Sequence, residues 1–246
     1  MSSTTVLVSG ANRGLGKGIV ERFLARDEHT VVAAVRDPSH LTSKALADLP
    51  TGKHSRLVVV KIDSTVETDA LKAADSLRAQ GIDRLDLVIA NAGVAMAYPK
   101  VSELRVTDLQ AHLGPNVFGV VWLYQATLPL LRASDSPKWV TMGSTAGNLS
   151  GQLPIPNSAY GPSKAAVHWL TIRIDAEEES LTAFVIHPGF VQTDMGNLGA
   201  RTVLGMEKAS IGVDESCDGV VKVIDTATKE SHGGRFWDFE GKSLTW

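Results

Sequence analysis

Cysteine is almost absent from this chain: Cys217 is the only one in 246 residues. A single thiol excludes an intrachain disulfide and a metal site built from several thiolates. The shortage fits a reducing compartment, so the sequence predicts a cytoplasmic location. The seven histidines show no ligand spacing, and no metal is expected.

Long apolar runs and an excess of basic charge are missing as well. No segment approaches the roughly 18 consecutive apolar residues that a membrane-spanning helix needs. The N-terminal residues 1–5 are too few and too polar for a signal peptide. The formal net charge is -3, whereas nucleic-acid binders usually carry a basic face. The sequence therefore predicts a protein that binds neither membrane nor nucleic acid.

Short apolar runs alternate with longer amphipathic ones along the whole chain. This alternation predicts βαβ units around one parallel sheet. We expect an α/β Rossmann fold: a single domain over residues 1–246, with a doubly wound, seven-stranded parallel sheet of order 3-2-1-4-5-6-7 and helices on both faces. The predicted strands are 4–9, 30–36, 56–63, 85–91, 139–143, 182–187 and 234–239. The predicted helices are 14–26, 67–80, 106–132 and 160–179, and the glycine-containing segment 193–213 has no clear period and is expected to form a lid.

A glycine-rich turn joins the first predicted strand to the first helix. Its glycines let the backbone turn tightly and approach a pyrophosphate, which would sit at the helix N-terminus. The same glycines could serve strand–helix packing alone, so the turn by itself leaves both interpretations open. The residues predicted to bind a dinucleotide here are Gly10, Asn12, Arg13, Gly14, Leu15 and Gly16.

The end of the second strand bears on the choice between NAD and NADP. Dinucleotide folds often carry an acid there for the adenosine ribose, whereas this chain has Val35 followed by Arg36. A guanidinium can grip a 2′-phosphate through several donors, and Arg13 could reach the same phosphate. The alternative for either arginine is a solvated surface charge. Asp37 stands one residue beyond the position of the ribose-binding acid and could instead cap a turn with Pro38. The pattern favours NADP(H).

Polar and small residues also end the third and fourth strands, at the edge where open α/β sheets bind ligands. Asp63 and Ser64 follow the third strand, and Asn91, Ala92 and Gly93 follow the fourth. All five are predicted to contact the cofactor. For Asp63 two interpretations stand equal: contact with the adenine edge, or an N-cap for the helix that begins near residue 66.

A serine, a tyrosine and a lysine follow the fifth strand. Tyr160 and Lys164 lie four residues apart on a predicted helix and therefore share a face. A nearby ammonium favours a phenolate and can make the tyrosine a usable acid or base near neutral pH. One lysine alone is too little to lower the phenol pKa from about 10 to about 7. Ser144 could hydrogen-bond a substrate oxygen and hold a carbonyl toward Tyr160. Each residue alone is commonly structural, but the three together indicate a catalytic site.

Asn116 lies inside the long helical stretch, directly after Gly114 and Pro115. Asparagine is unfavourable in helix interiors, and the proline removes a backbone donor and bends the helix. A carbonyl freed there could hold a water that leads protons toward Lys164. The alternative is a simple kink. Asn116 is thus a fourth candidate catalytic residue.

These motifs resemble the short-chain dehydrogenase/reductase family over nearly the whole chain. The turn begins with Ser9 where the family usually has threonine, and Gly143 stands where a second serine is common. The motifs that carry the resemblance are Gly10-x-x-x-Gly14-x-Gly16, Asn91-Ala92-Gly93, Asn116, Ser144, Tyr160-x-x-x-Lys164 and His187-Pro188-Gly189.

The resemblance implies a role for each matched residue. Tyr160 would donate the proton in reduction, and Lys164 would lower its pKa and bind the nicotinamide ribose. Ser144 would position the carbonyl, and Asn116 would support a water relay. The remaining implied cofactor contacts are Arg13 and Arg36 to the 2′-phosphate, and Pro188, Gly189, Val191 and Thr193 around the carboxamide.

Within the family, the chain is similar to the carbonyl-reductase branch that includes fungal norsolorinic acid ketoreductase-like proteins. Its tail, 239–246, resembles the D-G-x-x-x-x-W ending of that branch, with Glu240 for aspartate. The resemblance implies an NADPH-dependent ketone or aldehyde reductase. A non-catalytic NADP(H)-binding redox sensor is the alternative, although such proteins typically lose the tyrosine or the lysine. An epimerase or dehydratase of sugar nucleotides would generally need a longer C-terminal part.

Apolar residues in three loop segments predict a small hydrophobic carbonyl substrate, such as a polyketide-like or aromatic ketone. The alternative is that these side chains pack the lid. Family members often pair through their long helices, so the resemblance implies a homodimer or a homotetramer, with Trp122, Tyr124, Trp169 and Ile172 either in the interface or in the core. The predicted pocket walls are Met96, Tyr98, Leu149, Leu153, Ile155, Met195, Leu198, Val203, Leu204 and Met206.

Overall fold

One sheet runs through the computed structural model, which describes residues 3–246. Its strands follow the order β3-β2-β1-β4-β5-β6-β7-β8. All neighbours pair in parallel except β7 and β8. The strands are β1 (Thr4–Ser9), β2 (His29–Val35), β3 (Arg56–Lys61), β4 (Leu87–Ala90), β5 (Lys138–Met142), β6 (Thr182–His187), β7 (Phe236–Asp238) and β8 (Ser243–Leu244).

The predicted order of the seven parallel strands is confirmed, but the predicted number of strands is wrong because β8 follows them. The turn between β7 and β8 is closed by the Asp238 carboxylate, which accepts hydrogen bonds from the amides of Glu240 and Lys242 at 3.0 and 2.8 Å. Gly241 completes the turn with a φ of 85°, which costs glycine little. A strand of two residues is too short for an alternating pattern to reveal it.

Helices cover both faces of the sheet, as the sequence predicts. The helices are α1 (Gly14–Leu24), α2 (Leu41–Lys44), α3 (Glu67–Ala79), α4 (Val106–Leu113), α5 (Gly119–Leu131), α6 (Tyr160–Glu177), α7 (Asp194–Gly199), α8 (Val213–Thr226) and α9 (Lys229–His232). Alternate residues of a strand point to opposite faces, and β1 shows this directly. Leu7 belongs to the hydrophobic cluster under α3, α5 and α6, whereas Val6 and Val8 belong to the cluster under α1 and α8.

The long helical stretch predicted over 106–132 is two α-helices, α4 and α5, joined by a π-helical turn at Gly114–Phe118. The predicted interruption at Gly114-Pro115 is present, but it takes the form of a wider turn instead of a simple kink. Pro115 lacks the N–H that an α-helical turn would use, and one π-turn absorbs the mismatch. Such bulges frequently occur at functional sites.

The only cysteine, Cys217, joins two helices on one face of the sheet. It lies on α8 with no exposed surface, and a Cβ atom built on Gly18 of α1 would come within 2.7 Å of its sulfur. Burial raises the pKa of the thiol to about 12. Cys217 therefore acts as a small apolar packing residue.

The carboxyl ends of β1, β4, β5 and β6 meet at one edge of the sheet because these strands are parallel neighbours. That edge collects the segments after each strand, which carry most of the predicted site residues. Among residues 3–246, every helix is too short or too polar to cross a membrane.

Candidate active site

The glycine-rich turn after β1 is tied to the end of β4. The Ser9 hydroxyl accepts hydrogen bonds from the amides of Asn91 and Ala92, both at 3.0 Å. The Asn91 side chain donates in return to the Ser9 carbonyl at 2.8 Å. A Cβ atom at Gly16 would stand 2.2 Å from the Gly10 carbonyl oxygen. Ser9 thus supplies the hydroxyl that this turn requires, and Gly16 permits the close approach of helix and turn.

The N-terminus of α1 is open toward this turn. Gly10 and Gly14 have φ values of 65° and 52°, the left-handed region in which glycine is favoured. Arg13 occupies the N-cap position, and its side chain makes no capping hydrogen bond to the helix. The first-turn amides of an α-helix attract anions unless a side chain caps them. The turn therefore fits the pyrophosphate of a dinucleotide.

Arg13 points toward the segment predicted to form a lid. Its guanidinium pairs with the carboxylate of Asp194 at 2.9 Å, and both side chains are largely exposed, at 72% and 84%. Arg36 is also exposed. The joint approach of Arg13 and Arg36 to one 2′-phosphate stays a prediction.

Asp63 closes a turn ahead of α3. Its carboxylate accepts hydrogen bonds from the amide and the hydroxyl of Thr65 at 2.9 and 2.7 Å. Although burial opposes the shift, these bonds and the charge of Arg36 hold the pKa of Asp63 below its usual range. The N-cap position of α3 is Val66. The helix-cap interpretation is therefore wrong, and the adenine contact stays a prediction.

Two further polar residues near the nucleotide end have structural partners. Asp37 accepts hydrogen bonds from the Ser39 amide and hydroxyl at 2.8 and 2.6 Å, so it caps the turn after Arg36. Asn12 donates to the Thr42 hydroxyl at 2.6 Å. The bond between Asn12 and Thr42 connects α2 to the glycine-rich turn.

Lys164 is enclosed behind Tyr160 at the beginning of α6. Its side chain donates to the Met142 carbonyl at 2.7 Å, and Nζ lies 5.7 Å from the centre of the Tyr160 ring. Burial lowers the pKa of Lys164 to about 8, because a charged ammonium is poorly solvated there. The end of β5 and the first turn of α6 thus hold the lysine beside the phenol.

The pKa of Tyr160 is raised to about 12, mainly because burial disfavours the phenolate; the nearby Ser144 hydroxyl opposes the rise, and Tyr98 adds to it. The expected lowering by Lys164 is not found in this arrangement. The ammonium is turned to the Met142 carbonyl, and desolvation outweighs its attraction for a phenolate. Tyr160 is therefore held in the protonated form that a proton donor needs.

Asn116 lies within the π-helical turn and is only 1% exposed. Its amide oxygen accepts from the Val94 amide at 2.7 Å. Its amide nitrogen donates to the Val94 carbonyl and to the Ser163 hydroxyl, each at 2.9 Å. A Cβ atom at Gly93 would lie 3.2 Å from Asn116 Oδ1 and 3.8 Å from Lys164 Nζ. Asn116 is thus near Lys164 but bonds elsewhere, and the water relay stays a prediction.

Two histidines at the site were missed by sequence reasoning. His112 accepts a hydrogen bond from the Met96 amide at 3.0 Å, and its ring meets the Tyr160 ring edge-on at 6.5 Å. His168 accepts from the Ser144 amide at 3.2 Å. Their spacing in the sequence could have indicated them. His112 lies four residues before Asn116 and His168 lies four residues after Lys164, so each shares a helix face with a candidate catalytic residue.

The segment after β6 folds back over the glycine-rich turn. Thr193 caps α7 by accepting from the Gly196 amide at 3.1 Å, and its methyl group would lie 3.2 Å from a Cβ atom on Gly14. Val191 pairs with Ile211 in an isolated bridge. The bridge joins the two ends of the predicted lid, and α7 and the π-turn Ala200–Leu204 lie between them.

Pro188 and Gly189 lie between β6 and this bridge. The Pro188 carbonyl accepts from the Ser216 hydroxyl at 2.6 Å. Gly189 has a φ of 86°, and a Cβ atom there would stand 2.4 Å from Ile211 Cδ1. Both residues are thus fixed against the start of α8 and the lid, while their predicted cofactor contacts stay predictions.

This arrangement of a parallel α/β sheet, a glycine-rich turn and a half-buried tyrosine beside a buried lysine defines a nicotinamide-dependent oxidoreductase. A family model described as short chain dehydrogenase matches residues 4–202. The chain belongs to the short-chain dehydrogenase/reductase family, as its motifs predict.

Three relatives illustrate the match. Norsolorinic acid ketoreductase of Dothistroma septosporum is 43% identical over 99% of this chain and 92% of its own length. A short-chain dehydrogenase of Neurospora crassa is 39% identical over 99% of this chain and 98% of its own. The structure of NADPH-bound carbonyl reductase from chicken fatty liver superposes with a TM-score of 0.83 and 30% identity over 100% of both chains.

Proposed function

We propose that this protein is an NADPH-dependent carbonyl reductase for a hydrophobic ketone or aldehyde, with a polyketide-like or aromatic ketone as the substrate class. The observation that carries the proposal is that half-buried Ser144 and Tyr160 stand beside buried Lys164, with the phenol held protonated. The names of its relatives, which include ketoreductases and an NADPH-bound carbonyl reductase, agree with it.

In this proposal the side chains divide the work of reduction. A bound NADPH supplies the hydride. Tyr160 gives its phenolic proton to the carbonyl oxygen as charge develops there, and Ser144 orients that oxygen by hydrogen bonding. The ammonium of Lys164 then stabilises the phenolate that Tyr160 becomes. Asn116 supports a water relay that returns the proton.

The cofactor preference follows from what ends β2. Val35 and Arg36 leave no acid where the adenosine ribose would lie, and a guanidinium suits a 2′-phosphate. The use of a nicotinamide cofactor is a property of the family. The residues proposed to hold NADP(H) are Gly10, Asn12, Arg13, Gly14, Leu15, Gly16, Arg36, Asp63, Ser64, Asn91, Ala92, Gly93, Tyr160, Lys164, Pro188, Gly189, Val191 and Thr193.

The hydrophobic substrate is supported by the exposure of the ten proposed wall residues. None of them is buried, so they are not consumed in packing the lid against the core. Leu149 and Met96, for example, are 78% and 56% exposed. An apolar surface of this kind around a polar site suits an apolar ligand, and methionines accommodate varied shapes.

The protein also self-associates in this proposal, through a groove between α5 and α6. The groove encloses about 190 Å³ and is lined largely by apolar side chains, among them Val121, Tyr124 and Trp169. Trp169 is 62% exposed, which is a costly position for so large an apolar residue. A second copy of this chain would cover it, as a homodimer or as half of a homotetramer. The cytoplasmic location stays a prediction.

The test is NADPH consumption across a panel of carbonyl compounds. Hydrophobic ketones should be reduced faster than polar sugars. Tyr160→Phe should lose roughly 100-fold or more in kcat while NADPH binding, followed by cofactor fluorescence, persists. Tyr124→Phe serves as the matched control, because it also removes a phenol hydroxyl but lies outside the group of Ser144, Tyr160 and Lys164 and keeps the ring that lines the α5–α6 groove. Undiminished turnover in Tyr160→Phe would overturn the mechanism, and NADPH binding without turnover of any carbonyl would favour the redox-sensor alternative.

A further inference from the structure

A histidine on α6 touches the main chain of the proposed catalytic serine. The Ser144 amide donates to Nε2 of His168 at 3.2 Å, and His168 is only 3% exposed. Because Nε2 accepts this bond, the ring proton of the neutral imidazole must sit on Nδ1. Burial lowers the pKa of His168 to about 3, with the charges of Lys164 and His187 acting in the same direction. The imidazole therefore stays neutral and keeps its acceptor.

His168 also explains why Gly143 precedes Ser144. A Cβ atom at Gly143 would lie 2.6 Å from His168 Nε2 and 2.2 Å from Val185 Cγ1. Both distances are far inside van der Waals contact. The glycine thus leaves the space in which the imidazole reaches the Ser144 amide.

The imidazole is held in place by Phe236 of β7 and by Trp246 at the end of the tail. Its ring centre lies 4.8 Å from that of Phe236 and 5.5 Å from that of Trp246. Phe236 and Trp246 stack on each other at 5.2 Å with an interplanar angle of 15°. The β7–β8 turn reverses the chain and thereby brings Trp246 back to this point. Three aromatic rings in mutual contact fix each other's orientation.

The same tail binds the loop that follows Ser144. The main-chain oxygen of Trp246 accepts from the Ser150 amide at 3.2 Å and from the Ser150 hydroxyl. The Asn148 side chain donates to the Thr245 carbonyl at 3.0 Å. Leu149, between these two contacts, is 78% exposed, so its own burial does not anchor the loop. The tail thus anchors Asn148 and Ser150, in addition to the hydrogen bond from the Asn148 amide to the Thr145 carbonyl at 3.2 Å.

We propose that His168 and Trp246 are positioning residues: His168 fixes the main chain at Ser144, and Trp246 holds both His168 and the adjoining loop 148–150 beside the substrate. The inference rests on the proposed function, since Ser144 is there the group that orients the carbonyl. Neither residue touches the reacting atoms. Their effect reaches the reaction through the position of the serine and the loop.

Paired substitutions at His168 separate its acceptor from its ring. His168→Phe keeps an aromatic ring but has no acceptor, and it should lower kcat about tenfold, the rate equivalent of one lost hydrogen bond, with the KM for NADPH unchanged. His168→Gln carries an acceptor at about the position of Nε2 and should recover much of kcat. Equal losses in the two variants, or none in either, would contradict the positioning role.

Trp246→Ala tests the tail, with Lys242→Ala as a control at an exposed tail residue. Trp246→Ala should raise the KM for a hydrophobic ketone and lower kcat, each several-fold, while Lys242→Ala should match the wild type. Thermal denaturation identifies any general loss of folding. Wild-type values of kcat and KM in Trp246→Ala would overturn the proposal.

Hydrogen exchange provides a readout that does not depend on turnover. Peptides covering residues 144–150 should exchange faster in Trp246→Ala than in Lys242→Ala, because three of their hydrogen bonds, one of them from the Ser150 amide, end on the tail. Unchanged exchange would sink the proposed anchoring. If the wild type reduces no carbonyl, the proposed function fails, and this exchange measurement still decides whether the tail positions the loop.

Discussion

Lys164 places an ammonium group where only 7% of the residue is exposed, with the Met142 carbonyl as its hydrogen-bond acceptor. Burying a charge is unfavourable unless it is paired, and here the cost appears as a pKa lowered to about 8. In the proposed mechanism the residue is needed charged, because only the ammonium can stabilise the phenolate of Tyr160. The site therefore sacrifices some stability to keep that charge close.

Stability should consequently rise with pH above about 8 because of Lys164. Between its folded pKa of about 8 and its ordinary value near 10.5, the unfolded chain binds more protons than the folded chain, so the free energy of unfolding increases with pH. Between pH 7 and pH 9 the gain should be about 1 kcal/mol.

Denaturant unfolding of the wild type and of Lys164→Met gives the free energy of unfolding of each protein at pH 7 and at pH 9. The contribution of Lys164 is the rise in the wild type minus the rise in the variant. The variant has no ammonium and should lack the rise. The high-pH effects of Tyr160 and Cys217, whose pKa values are raised, are common to both proteins and cancel. A parallel pH dependence in wild type and variant would contradict the assignment to Lys164.

Helix α7 and the glycine-rich turn are two elements joined by one exposed ion pair. Arg13 lies in the turn, and Asp194 is the first residue of α7. Next to them, the Thr193 methyl packs close to Gly14. An exposed pair of this kind contributes little stability, but it competes for the guanidinium that the proposal assigns to the 2′-phosphate.

Asp194→Asn should therefore strengthen binding of NADPH selectively. Release of Arg13 should lower the KM for NADPH about threefold, an energy typical of an exposed pair, and should leave the KM for NADH unchanged because NADH has no 2′-phosphate. Steady-state kinetics with both cofactors measures the effect. Asp214→Asn, at the first turn of α8 and also ion-paired, is the matched control. An equal change for NADPH and NADH would refute the competition.

At the scale of elements, the sequence predicted what depends on local periodicity. The buried runs of β1 and β6 and the starting residues of α1 and α6 could be predicted, because apolar runs and glycine turns encode them. The form of the turn at Pro115 and the two-residue strand β8 could not, since neither has a pattern of its own. The spacing of His168 from Lys164 marks it as a residue on the same face of α6, but its contacts with Phe236 and Trp246 could not be predicted, because those residues are distant in sequence.

The molecule as a whole presents apolar surface in the α5–α6 groove, away from the proposed substrate walls. Phe118 and Trp122, at the beginning of α5, form an aromatic pair with ring centres 6.2 Å apart, and Phe118 is 49% exposed. Arg173 and Glu177 form an ion pair at the groove. A groove with both charges suits a two-fold contact, in which each copy offers the same surface to the other.

Trp169→Glu should therefore shift the protein to monomers. A carboxylate in the centre of a desolvated interface is strongly unfavourable, and size-exclusion chromatography with light scattering measures the change. Leu71→Glu, at an exposed apolar residue of α3, is the control and should keep the wild-type mass. A monomeric wild type would refute the proposed assembly.

The burial of Cys217 determines how the protein reacts with thiol reagents. Its sulfur is sealed between α1 and α8, and its thiol resists ionisation, so alkylating agents and mild oxidants meet no reactive thiolate in the folded protein. Because the chain has no other cysteine, labelling by a thiol reagent requires that α8 move away from α1. The single thiol thus resists thiol reagents in the folded protein, and its labelling rate measures the opening of this helix pair.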